Sequence, residues 1–277
     1  MKPNIQPELP LPTVVGRSDA PAPKNNGAPK KTRERKTIQD ALITEGLAAV
    51  MLSSEVNSLA ELQAALCKRL GQNSVETRRR YAQLILRWFF PDGFDGLLRK
   101  AWCAYRDDSI LLDPVRWSYL ATEPVMGHCI TGALFPLENG LTIPASYLDK
   151  FLETHLGEAP AEKTKERLKT NLKKLGFLGL ARGKPDRLIP VVPQRTSLLL
   201  LIHHLFAPMS VRTIELRHLF ANPFWKYLGH KTEDAVRSVL READAAGVIG
   251  KYIVADQLEQ ITTCVTLAEF LDRRLHL

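Results

Sequence analysis

Between Ala159 and Val192 the chain reads APAEKTKERLKTNLKKLGFLGLARGKPDRLIPVV, and no other stretch limits the possible folds as tightly. At about 100° per residue, Ala161, Thr164, Leu172 and Leu175 fall within about 40° of Leu168, which predicts a helix with one narrow apolar stripe. Lys163, Glu166, Thr170 and Lys173 point away from that stripe, and Arg167, Lys169 and Lys174 flank them. The solvent side of such a helix is almost wholly cationic. Gly176 ends it, because glycine tolerates the left-handed conformation that a helix terminus asks for. The apolar run from Phe177 to Leu180, the turn Gly183-Lys184-Pro185-Asp186 and the β-branched run from Arg187 to Val192 then predict a hairpin.

Upstream, 142–156 (TIPASYLDKFLETHL) predicts another amphipathic helix, with Ile143, Tyr147, Leu148, Phe151, Leu152 and Leu156 on one side. Pro144 suits its first turn and Gly157 closes it. Helix, short turn, basic helix and hairpin in that order are the pattern of a winged helix-turn-helix, whose second helix enters the DNA major groove.

Charge supports the same reading. Between Lys163 and Arg187 nine Lys or Arg face only Glu166 and Asp186, a net of +7 in a chain whose whole net charge is +8. Residues 1–36 carry eight basic and three acidic side chains, a net of +5, so everything else sums to −4. Positive charge is therefore concentrated in two places, one of them a helix and its wing, as expected of a surface that neutralises phosphates. A lysine-rich helix face is also a common solvated surface, and the winged-helix shape serves protein contacts as well.

Residues 1–36, rich in Pro, Lys, Asn and Gly, are expected to be a disordered basic tail ending in Lys30-Lys31-Thr32-Arg33-Glu34-Arg35-Lys36. An N-terminal helical domain is expected over 37–136. Ser58 is a plausible N-cap before the stripe Leu59, Leu62, Leu66 and Leu70. The helix from Gln72 to Pro91 puts Tyr81, Ala82, Trp88 and Phe89 around Ile85, leaving Arg80, Gln83 and Arg87 as an outer strip with Arg79 beside it. Those arginines form a second candidate contact with a phosphate backbone. Helices are expected over Leu97 to Arg106, Pro114 to Ala121 and Pro124 to Phe135, with His128 and Cys129 as core neighbours.

A winged helix-turn-helix domain is expected over 137–195 and a second, similar domain over 196–277. In the latter, Thr196 to Phe206 and Val211 to Phe220 read as helices, and Asn222-Pro223 breaks the chain. The sequence from Lys231 rhymes with the opening stretch: Thr232, Val236 and Leu240 before Gly247 match Thr164, Leu168 and Leu172 before Gly176, with three extra residues ahead of the glycine. A hairpin of Val248 to Val254 with Gln260 to Val265 is expected to follow, then a last helix from Leu267. The copies differ in charge: 163–175 holds six basic and one acidic residue, 231–246 three basic and four acidic.

Catalytic constellations do not stand out in the sequence: no Walker A loop, G-x-S-x-G, H-E-x-x-H or paired Cys-His with an orienting group occurs. Pro185-Asp186 has no acidic-x-Lys partner nearby, which disfavours a nuclease. Cys67, Cys103, Cys129 and Cys264 are scattered, so neither a zinc site nor any other cofactor is expected. No apolar run reaches membrane-spanning length, and the proline-broken start lacks a hydrophobic signal region, so a cytoplasmic protein is expected.

The helix start Ser74-Val75-Glu76-Thr77-Arg78-Arg79-Arg80, the stretches around Ala101-Trp102 and Trp117 to Val125, and 168–178 (LKTNLKKLGFL) resemble the BrxA family of the BREX phage-defence systems, over about residues 55–265. The resemblance implies a small, non-enzymatic, helical DNA-binding protein of winged-helix character that works beside a methyltransferase, a phosphatase-like protein and an ATPase. The sequence as a whole thus predicts a mainly α protein with two winged-helix-like modules carrying short hairpins. Its expected partner is double-stranded DNA, held through Lys163, Arg167, Lys169, Thr170, Lys173 and Lys174, with Arg182, Lys184 and Arg187 of the wing on phosphates and Arg79, Arg80 and Arg87 extending the track. A winged-helix scaffold for protein partners, such as other phage-defence proteins, and a sequence-specific repressor are the alternatives.

Overall fold

The computed structural model describes residues 38–179, 186–256 and 258–277. The basic tail and the hairpin tip that carries Arg182 and Lys184 lie outside the described residues. The protein is mainly helical, with thirteen α-helices and one three-stranded antiparallel sheet among the described residues. The first helices are α1 (Ile43–Leu52), α2 (Leu59–Arg69), α3 (Val75–Phe89), α4 (Leu97–Tyr105) and α5 (Asp108–Thr122). Ser58 and Ser74 start α2 and α3 by accepting from the amides of Glu61 and Thr77, which satisfies donors that a helix start leaves open. Ala82, Ile85, Trp88 and Phe89 form the buried side of α3.

Helix α5 lies at the centre and packs on α1, α3, α4, α9 and the two helices α6 (Pro124–His128) and α11 (Phe224–Leu228). It begins six residues before the expected start at Pro114, capped by Asp107, which accepts from the Ser109 amide. Pro114 has no amide to offer the carbonyl four residues back. That carbonyl, Ile110 O, is satisfied instead by the Ser197 hydroxyl of α9 (Arg195–Phe206) at 2.7 Å. A contact from another helix thus offsets part of the cost of an interior proline, and sequence periodicity within α5 contains no sign of it.

After α6 the chain widens into a π-helical segment (Cys129–Leu134) and runs into α7 (Ala145–Leu156) and α8 (Glu162–Lys174). Residues 186–189 form the middle of a short ribbon. On one side the Leu188 amide donates to Leu141 O at 2.9 Å and the Gly140 amide to Leu188 O at 2.8 Å; on the other, the Gly179 amide donates to Arg187 O and the Ile189 amide to Phe177 O. The bridges Thr142 to Arg187 and Leu178 to Leu188 are both antiparallel.

The C-terminal part runs α9, β1 (Thr213–Glu215), α10 (Leu216–Ala221), α11, α12 (Glu233–Ala245), β2 (Lys251–Ala255) and β3 (Leu258–Thr262), with one helix more between its first two strands than the preceding part, followed by α13 (Leu267–Asp272). Again the last strand is central, in the order β1-β3-β2, with Ile261 opposite both Ile214 and Tyr252. The helix expected over Val211 to Phe220 is therefore corrected. Its first half is β1, where Thr213 and Ile214 pair with β3, and only Leu216–Ala221 is helical. The second hairpin is also tighter than expected, with Ala255 already paired with Leu258 and Asp256 at φ +52°.

The repeat register is corrected too. Helices α8 and α12 are each thirteen residues long and begin at Glu162 and Glu233, 71 positions apart. Gly176 (φ +81°) and Gly247 (φ +69°) keep the same spacing and the same closing bonds: Phe177 N to Leu172 O at 2.9 Å matches Val248 N to Ala243 O at 2.8 Å. Both positions need a backbone conformation that side-chain-bearing residues rarely adopt. No three-residue insertion separates the copies; Leu168 corresponds to Val239, not to Val236.

One hydrophobic interior runs from Ile38 to Leu271 without a break. No described helix is long and apolar enough to cross a membrane. The two repeats are joined where the Lys231 ammonium donates to Leu134 O (3.1 Å), Phe135 O (3.4 Å) and Leu137 O (3.0 Å), carbonyls at and just after the end of the π segment. Burial lowers the pKa of this ammonium. Beside it, His230 is 6% exposed, its Nε2 has no partner among the described residues, and burial pushes its imidazole down to about 4. His230 is therefore neutral in the folded protein and takes up a proton on unfolding below its ordinary pKa of about 6.5. Its contribution is complete above about pH 6.5 and declines as the pH falls towards 4, by up to about 3 kcal/mol. His203 and His204, also pushed down by burial, act in the same direction. Urea unfolding is expected to show a midpoint that drops between pH 7 and 5, less steeply in His230→Phe; equal steepness in the variant would remove His230 from this account.

Candidate nucleic-acid interface

Helix α8 buries Thr164, Leu168, Asn171 and Leu172 and turns Lys163, Glu166, Thr170 and Lys174 to solvent, with Arg167, Lys169 and Lys173 half-buried at the edges. Ala161, expected in the stripe, is the exposed residue before the first turn. The cations divide into two sets. Lys163 and Lys169 have no ion pair or side-chain hydrogen bond among the described residues; Arg187, exposed on the ribbon, is likewise unpaired. The others are engaged: Lys173 with Asp186 at 2.6 Å, Lys174 with Asp40 at 2.6 Å, Lys165 with Glu162 at 3.4 Å and Asp149 at 3.8 Å, and Arg167 with the Ile38 carbonyl at 3.0 Å. The Lys173 to Asp186 pair ties the outer face of α8 to the ribbon.

The flank of α8 formed by Arg167, Asn171 and Lys174 is covered by residues 38–41, a strap laid along it from 130 residues upstream. Asn171 is fully buried: its Oδ1 accepts from the Ala41 amide (2.8 Å) and its Nδ2 donates to Gln39 O (2.7 Å) and the Tyr119 hydroxyl (3.1 Å). Arg80 of α3 reaches the same strap, donating to Gln39 Oε1 at 2.6 Å. Arg79 beside it is exposed and unpaired among the described residues. Arg87, expected on the outer strip, is paired with Glu123 across the gap between α3 and α5; Glu123 also accepts from Trp88 Nε1 at 2.7 Å. The structure therefore brings Arg80 to the strap beside α8, leaves Arg79 exposed on α3 and turns Arg87 to Glu123.

A buried ion pair on α5 sets where the ribbon begins and ends. Arg116 Nη1 lies 2.7 Å from Asp113 Oδ1, Arg116 Nε donates to Leu175 O at 2.9 Å, and Asp113 Oδ2 accepts from the Gln194 amide at 2.7 Å. Leu175 closes α8 and Gln194 precedes α9, so the pair holds both ends of the segment between them. Burial raises the Asp113 carboxyl and lowers the Arg116 guanidinium, each opposed by the charge of the other.

The counterpart helix α12 is different in character. Arg237, the central cation, lies among Glu233 (2.9 Å), Asp234 (3.1 Å) and Glu259 of β3 (2.9 Å), over the Phe220 ring. Carboxylates dominate its open face, which makes it a poor surface for phosphates. A concavity of about 760 Å³ between α4, α9 and α13 is lined by opposite charges such as Asp92, Lys100 and Asp272. No cluster of three or more candidate metal ligands occurs among the described residues.

Sequence reasoning missed Asn171, Asp113 and Arg116. A lone Asn amid apolar positions, and an Arg three residues after an Asp in an apolar helix, were the available signals. Replacing Asn171 by Ala leaves two strap backbone groups and a tyrosine hydroxyl short of partners, at a cost of about 2 to 4 kcal/mol. Hydrogen exchange at the Ala41 amide is expected to rise more than exchange in α12; uniform change across both would show that Asn171 does not hold the strap in particular. Comparison of the chain with family models, with curated proteins and with solved structures finds no significant match.

Proposed function

We propose that this protein is a non-enzymatic, double-stranded DNA-binding accessory protein that holds duplex with little sequence preference through α8 and the adjoining ribbon. The observation that carries the reading is the joined cationic surface: Lys163, Thr170 and Lys169 on α8, linked through Lys173 and Asp186 to Arg187 on the ribbon. The element order supports it. Helix, strand, helix, helix, strand, strand, with the last strand central, is the arrangement of a winged helix, and the third helix of that arrangement is the one that enters the major groove. The first repeat matches that order, the second adds one helix, α11, between α10 and α12, and the first carries the positive charge. The dominance of lysine over planar hydrogen-bonding side chains favours phosphate contacts over base reading. The resemblance to the BrxA family extends the proposal to a cytoplasmic role in a bacterial phage-defence system.

The engaged cations favour a second reading. Lys165, Arg167, Lys173 and Lys174 are all occupied internally, which suits a scaffold that docks protein partners on the same face. Salt-dependent gel shifts separate the two. Lys163→Glu with Lys169→Glu breaks no ion pair among the described residues, so the fold is retained. For a DNA-binding protein the slope of log K against log salt falls in magnitude by about 2 and affinity drops at least about tenfold. Absence of any shift by the wild type at low salt overturns the DNA reading, and preference for one site by about 10³ or more would make the protein a sequence-specific repressor instead.

A further inference from the structure

The sheet of the C-terminal part has β1 at one edge and β2 at the other, and the two edges differ. Strand β1 is three residues long and holds the charged Glu215, features that blunt an edge against pairing. Strand β2 is five residues long, Lys251-Tyr252-Ile253-Val254-Ala255, and no strand lies along its outer side among the described residues. The turn fixes which backbone groups it offers. Ala255 pairs with Leu258 across only two residues, so those two exchange hydrogen bonds, and by alternation Ile253 and Lys251 also bond to β3. The amides and carbonyls of Tyr252 and Val254 therefore point away from the sheet. Around them the side chains are apolar: Val254 is 63% exposed, Leu258 41%, and Ile253 is half-buried. Opposite charges sit at the two ends of the strand, Lys251 at its start and Asp256 just past its end, both exposed and unpaired among the described residues.

Such an edge is complementary to itself. When a second copy lies antiparallel, with Ile253 opposite Ile253 on a two-fold axis, Tyr252 pairs with Val254 on both sides of the axis and each pair exchanges two N–H···O bonds. Moving the axis to Tyr252 or to Val254 leaves only one such pair within the strand. In the favoured register Ile253 meets its own image at a close, non-hydrogen-bonded position, and Val254 lies across from Tyr252. Each Lys251 comes beside the other copy's Asp256, a charge match that an unrelated strand would not supply. We infer that β2 is a homodimerisation edge, through which two copies of this chain join their sheets into one. The inference does not depend on the DNA reading. A contact of this size gives a weak dimer, with a dissociation constant on the order of tens of micromolar.

Sedimentation velocity of the full-length protein over a concentration series tests it. The wild type is expected to pass from monomer to dimer. Val254→Pro removes an N–H that faces away from β3, so no ladder bond is lost, and the dimer is expected to weaken at least about tenfold. Lys251→Glu sets like charges side by side and is expected to weaken it about fivefold; adding Asp256→Lys to that variant reverses both signs and is expected to restore association. A wild type that remains monomeric at about 500 µM overturns the dimer. Undiminished association of Val254→Pro overturns the assignment to β2. Equal loss in the single and double charge variants overturns the two-fold register.

Discussion

Two opposite charges inside α5 determine where the cationic surface can be. Asp113 and Arg116 are almost wholly removed from water, at a cost of several kcal/mol for each charge, and their attraction offsets this only because each has further bonds. Those bonds go to the carbonyl that ends α8 and the amide that precedes α9. The pair thus acts as a bracket. The two ends of the segment between Leu175 and Gln194 are fixed against the central helix. Apolar side chains of the same volume would fill the space, but they would not specify which backbone groups come to α5.

The same logic recurs at smaller scale. Pro114 leaves a carbonyl open and Ser197 fills it; three carbonyls at the end of the π segment converge on the Lys231 ammonium; a chain segment arrives beside α8 and Asn171 satisfies its backbone on both sides. Each case joins elements far apart in sequence through one buried polar side chain. With a single continuous apolar interior, these contacts fix the mutual positions of the helices.

Local signals in the sequence are faithful where the physics is local. Serine caps at Ser58 and Ser74, glycine stops at Gly157 and Gly176, and the apolar stripe of α8 around Leu168 and Leu172 depend on neighbours within one or two turns, and all are present in the fold. What periodicity does not carry is the partner from a distant element. Thr213 to Glu215 reads as the start of a helix until β3 lies beside it. Arg87 reads as an outward cation until Glu123 meets it, and the α8 cations read as a uniform face until the strap and Asp186 engage three of them. The charge excess of the region is plain in the sequence; its division into engaged and unengaged members depends on tertiary contacts.

Helices α8 and α12 occupy matching places in their repeats, and their open faces carry opposite dominant signs: lysines on the first, and on the second Asp234 and Glu233 around a neutralised Arg237. A long anion in this field feels attraction to one helix and rejection by its twin. The encounter therefore exerts a torque as well as a pull, turning the molecule into a single attitude before contact and narrowing the rotational search that slows most associations.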